Sequence, residues 1–242
     1  MTELPKSAFG RLDWCRLDFD SLREVVHEGK DRLHRLHAPL EEAIRELTLK
    51  LEDLPTDDDS ALWRDSVIET ESPVLEDLLG IAFTIAQTQI KAVESGVRRL
   101  SKLLCRERQR SIPNLNEILM RGRTLPNEIH EIEFANAVAN FWKHSAEWDW
   151  EVWKWYEERP EAQGATDGKI AARTAKTLRG SGMQSGSTGQ MQTLATFFGI
   201  LDFRDLSPLR TAVDGWGWGL VREIDREFGL DQATSAHLPV GG

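Results

Sequence analysis

Only two cysteines and one tyrosine occur among the 242 residues of this chain. Cys15 and Cys105 stand far apart, which leaves no metal-knuckle spacing and no disulfide framework and fits a reducing, cytoplasmic setting. Long hydrophobic runs are missing too. The most apolar stretch, Leu78 to Ala86, is bounded by Asp77 and Gln87 and is far shorter than the ~20 residues of a membrane-spanning helix. The N-terminal stretch has no basic-then-apolar signal, so no membrane association is expected. Positive charge is in deficit: 30 Lys and Arg against 40 Asp and Glu give a net charge of −10. A compact nucleic-acid binder ordinarily shows the reverse balance. RNA would have to be held by a local basic patch, and the acidity equally suits a protein that neutralises a basic partner. Strand signals are also lacking, with no run of period-two segments and no repeat of fixed length.

Helical signals fill the chain instead. Nine tryptophans and 40% hydrophobic residues argue for a packed core and against disorder. From a cap at Asp20 or Ser21, the positions Leu22, Val25, Val26, Leu33, Leu36, Leu40, Ile44, Leu47 and Leu51 follow a three-four repeat. Pro39 inside it predicts a kink or split. Ser72-Pro73 predicts the start of a second long helix, after a short one over 61–69. Its apolar positions run from Leu75 through Phe83, Ile90 and Val97 to Leu104, with acidic residues near its start and basic ones near its end, as the helix dipole favours. A third long helix is expected over 127–157, capped by Asn127 and stopped by Pro160. Shorter helices follow over 170–178 and 190–200 and from Ser207. The segment Gly215-Trp-Gly-Trp-Gly219 in the last of these predicts a break or a close backbone contact, because each helical glycine costs about 1 kcal/mol against alanine. These elements predict an all-α protein: a bundle of three or four long helices over residues 1–160, then a smaller helical C-terminal extension over 161–242 with a Gly/Ser-rich linker at 180–189. The closing Gly241-Gly242 reads as a frayed end.

The third helix carries the candidate chemistry. At about 100° per residue, Glu133, Asn136, Asn140, Lys143, His144 and Glu147 fall in one arc of roughly 100°. The opposite side carries Ile132, Phe134, Ala135, Val138, Ala139, Phe141 and Trp142 and should be buried. The polar stripe is either a catalytic face or a solvated one. A histidine beside an amide and a lysine can do acid–base work on a phosphodiester, with the lysine stabilising negative charge. Lys143 and Glu147, four residues apart, also form an ordinary surface pair.

The segment Ala139-Asn140-Phe141-Trp142-Lys143-His144, within an all-α layout, resembles the HEPN domains of bacterial toxin–antitoxin and phage-defence proteins. Their motif is an Arg, then a polar residue such as Asn, then a His further along one helix. Asn140 and His144 fit that spacing, and the Arg position is Ala139. The resemblance implies a metal-independent ribonuclease, often dimeric, acting by 2′-hydroxyl attack. It would place His144 as general acid or base, Asn140 as an orienting group and Lys143 as charge stabiliser, with Glu133 and Glu147 orienting them. A noncatalytic immunity, antitoxin or scaffold protein that binds a protein partner is the alternative, favoured by Ala139 and by the acidity. A scaffold would use the tryptophans around Trp148, Trp150, Trp153 and Trp155 as anchors.

Arg98, Arg99, Lys102, Arg106 and Arg110 recur about one turn apart and form the candidate RNA-binding patch, or else complement the helix dipole as a solvated face. No aromatics interleave with them, so base stacking is not indicated. The glycine-rich segment Arg179–Gly189 lacks the Lys-Ser/Thr ending of a phosphate-binding loop. His27, His34 and His37 share the first helix without a full ligand set, and all three are expected at the surface. No metal or cofactor is therefore expected.

Overall fold

The computed structural model describes residues 8–108, 115–144, 166–183 and 189–228. Among these every element is helical, with one isolated bridge between Thr124 and His130, so the all-α class is borne out. Two helices dominate: α1 (Ala8–Glu52) and α2 (Ala61–Arg108) form an antiparallel hairpin closed by a 3-10 turn at Asp58–Ser60. At 1.5 Å per residue each is about 70 Å long. The shorter helices α3 (Leu115–Leu119), α4 (Glu131–His144), α5 (Thr166–Arg179), α6 (Gln190–Phe198) and α7 (Ser207–Phe228) pack against it. One core joins Leu22, Leu33 and Ile44 of α1 and Leu79, Phe83 and Ile90 of α2 to residues of α4 to α7. At its centre Phe83, Phe134 and Phe198 meet, Phe83 edge-on to Phe198 with ring centroids 5.6 Å apart.

Neither Pro39, expected to kink or split the first helix, nor Pro73, expected to start the second, marks a helix boundary. α1 runs through Pro39, and α2 starts at Ala61 and runs through Pro73. Each proline removes one backbone bond and clashes with the carbonyl four residues back. Buried residues on either side, Leu33 and Ile44 in α1 and Leu75 and Leu79 in α2, pack the flanking turns into the core, which offsets that local cost. The predicted cap of the third helix also differs. α4 begins at Glu131, while Asn127 sits before it in the left-handed region (φ 60°) and donates to the carbonyl of Gly180 at 2.7 Å. The Gly-Trp-Gly-Trp-Gly segment stays helical, and a close contact explains it in part: a Cβ on Gly217 would stand 3.1 Å from Val26 of α1.

Candidate functional site

α4 buries the face the spacing predicts. Ile132, Phe134, Ala135, Val138 and Ala139 are fully buried, Phe141 nearly so and Trp142 partly. Gly80 of α2 makes the approach close, because a Cβ there would lie 2.1 Å from the Trp142 ring. The polar stripe lies beside this buried face. Much of it is a seam between α4 and its neighbours.

The seam is organised by Gln87, a buried amide on the α4-facing side of α2. Its Nε2 donates to Asn136 Oδ1 at 2.9 Å and to Asn140 Oδ1 at 2.8 Å, with the Asn136 carbonyl at 3.1 Å. Its Oε1 accepts from Lys143 Nζ. Burial pushes the Lys143 ammonium below the usual lysine range, and Lys91 nearby adds to the shift. Lys91 is itself 3.2 Å from Glu94. On the other edge of the stripe, Glu133 Oε1 accepts from Arg173 of α5 at 2.8 Å. His144 ends the described part of α4, half-buried. Asn140 and Lys143 are thus brought together through Gln87, while Glu133 is turned toward a different helix. Glu147 lies outside the described residues, as do Trp148, Trp150, Trp153 and Trp155.

The arginine position of the HEPN motif falls on Ala139, in the core with 0% exposure. Neither Arg121 nor Arg123 supplies a cation near His144. Arg121 pairs with Glu223, and Arg123 pairs with Glu131 at 2.7 Å, at the opposite end of α4, about 20 Å along the axis. Two members of the candidate RNA-binding patch are paired: Arg98 lies 2.9 Å from Glu94, which also meets Lys91, and Arg99 lies 3.2 Å from Asp18. Lys102 is exposed. The side chain of Arg106 and all of Arg110 lie outside the described residues.

Two features escaped the sequence reading. His37, expected at the surface with His27 and His34, is completely buried, whereas those two are exposed. Its Nε2 is 3.1 Å from the Ala82 carbonyl. The second is a cavity of about 650 Å³ between α7 and the segment before α4, lined by Arg121, Arg123, Glu131, Thr211, Trp216 and Glu223. Gly215 and Gly219, one turn apart, leave its α7 wall bare, with nothing within 4 Å of where a Cβ would stand. Their four-residue spacing is the signal that could have found it. Its arginines are already paired with its glutamates.

No group of His, Cys, Asp and Glu among the described residues is placed to hold a metal, and no helix there is long and apolar enough to cross a membrane. Comparison with family models, curated proteins and solved structures finds no match to this chain.

Proposed function

We propose that this chain is a noncatalytic, cytoplasmic helical-bundle module of the immunity or antitoxin kind, which works by binding a basic protein partner. The observation that carries the reading is the burial of Ala139: the position where the HEPN motif keeps its arginine points into the core. The ion pairs of Arg98 and Arg99 and the net charge of −10 support it, since both reduce the positive charge on offer to a phosphate backbone.

A second reading keeps the ribonuclease, and the Gln87–Asn140–Lys143 cluster is what favours it. Asn140 stands about one turn from His144 and Lys143 is its neighbour, and the lysine's depressed pKa would suit a group that meets developing charge. The two readings separate in one assay, metal-free cleavage of a panel of RNAs by the purified protein and by His144→Ala. The noncatalytic reading expects no cleavage by either. Cleavage that vanishes in a still-folded His144→Ala protein would replace it with the ribonuclease.

A further inference from the structure

The α1–α2 hairpin has two broad sides. On one, α2 meets α4 through Gly80 and Gln87, and α1 meets α7 through Glu41, which accepts from Arg210 at 2.7 Å. On the other side no described helix is seated, and apolar side chains recur along it, interspersed with the exposed Thr70 and Asp77. Trp63, Val67, Val74 and Ile81 recur at spacings of four, seven and seven, which places them within about 40° of one another on α2. Ile81 lies about 120° around α2 from Gln87, away from α4. Trp63 is 57% exposed, Val74 43% and Ile81 41%, and Val67 is half-buried.

α1 extends the same face. The register of the hairpin is fixed by His37 against Ala82 and by Lys50 against Glu71, so Leu36 is level with Ile81 and Ile85. Leu36 lies about 140° around α1 from Glu41, on the flank away from α7, and is 46% exposed. Half-buried Leu40, Leu78 and Ile85 lie against the core between these exposed side chains. The result is a two-helix apolar face about 27 Å long from Trp63 to Ile81, the length a docked helix of some five turns covers. Single exposed apolar residues need no explanation, but a row of them along one side of a hairpin, backed by Leu78 and Ile85, fits an interaction site.

Charge selects the occupant. From residue 49 to 71, the closed end of the hairpin, eight carboxylates stand against two cations, Lys50 and Arg64, a balance of −6 out of −10 for the whole chain. Those two cations are engaged with Glu71 and Asp65. A partner lying along the apolar face and over this end meets a hydrophobic floor with an acidic rim. We infer that the outer face of the α1–α2 hairpin is the docking site for a basic amphipathic helix of a protein partner, its apolar side on Leu36, Val74 and Ile81 and its basic end over the Trp63 tip. This rests on the partner-binding reading and names its surface and the chemistry it selects.

The test uses the full chain and two labelled synthetic helices of about 20 residues with the same leucine face. One carries lysine on its rim, the other glutamate at the same positions. Fluorescence anisotropy should show the lysine helix binding at least about tenfold more tightly than the glutamate helix, and more weakly as salt rises. Val74→Glu with Ile81→Glu should weaken binding by about tenfold or more; both positions are exposed, and a thermal melt checks the fold. Should that pair unfold the chain, Asp58→Asn, Asp59→Asn and Glu69→Gln, all exposed, should lower the affinity severalfold. No binding of the lysine helix, or equal binding of the two helices, overturns the proposal. So does light scattering that shows a dimer which Val74→Glu and Ile81→Glu dissociate, because the face then belongs to a second copy. RNA cleavage lost in His144→Ala would bear on the noncatalytic reading alone and leave the peptide result to stand or fall by itself.

Discussion

Ala139 separates the motif from the fold. A methyl group at 0% exposure sits where the proposed resemblance to HEPN ribonucleases would call for a guanidinium. Its neighbours Ala135 and Val138 are buried just as completely, so the backbone of α4 aims this position into the core. Restoring the motif by Ala139→Arg should therefore wreck stability before it restores any chemistry. A long charged side chain would be forced into packed, apolar surroundings, combining overpacking with an unpaired buried charge. The expected cost is at least about 4 kcal/mol, at the exceptional end for a point change. Urea or thermal unfolding of the variant measures it. A variant as stable as the parent would mean that residue 139 reaches solvent or a partner carboxylate, and the ribonuclease reading would gain accordingly.

Between elements, spacing is set by small residues that face large ones. Gly80 lets α2 take the Trp142 ring of α4 directly against its backbone, and two turns further along α2 Gln87 bonds to Asn136 and Asn140. Gly80→Ala gains about 1 kcal/mol of helix propensity, yet its Cβ would fall 2.1 Å from the ring, so Trp142 must swing out or α4 must shift. We expect net destabilisation of roughly 1–3 kcal/mol, a melting temperature several degrees lower, and weakened Gln87 bonds to Asn136 and Asn140. A melting temperature at or above the parent's would show that Trp142 relocates freely. The same elements show what the sequence makes legible. The three-four repeats of α1, α2 and α4, with their buried faces, follow from periodicity alone, and so does the grouping of Glu133, Asn136, Asn140 and Lys143 in one stripe. The partners of that stripe do not follow. Gln87 lies 56 residues from Lys143 and Arg173 lies 40 residues from Glu133, and no local pattern encodes such pairings. Pro39 does not split α1 and Pro73 does not start α2 for the complementary reason: a proline's local cost is fixed, whereas the packing that offsets it is tertiary.

Over the whole molecule, the hairpin is both the scaffold for α4 to α7 and the place where stability responds to acid. His37 is sealed between α1 and α2, its Nε2 at the Ala82 carbonyl and its Nδ1 without a hydrogen-bond partner. The Nε2–H tautomer satisfies that geometry, and a second proton on Nδ1 would be a buried charge. Burial lowers its pKa from 6.5 to about 4, with Arg210 lowering it further, while the bond to Ala82 and the Glu41 carboxylate oppose the shift. The unfolded chain therefore binds more protons than the folded one between about pH 6.5 and pH 4. By linkage, stability contributed by His37 is complete above the unfolded value and is lost as pH falls through that window. A difference of this size corresponds to about 3 kcal/mol at most. His37→Leu removes the titrating group while keeping an apolar side chain in the site. Unfolding free energies measured from pH 7 to pH 4 should fall less steeply for His37→Leu than for the parent, whatever the offset at pH 7. Parallel curves would mean that His37 takes up its proton with the same ease in both states, and the acid sensitivity of the fold would then lie with its carboxylates.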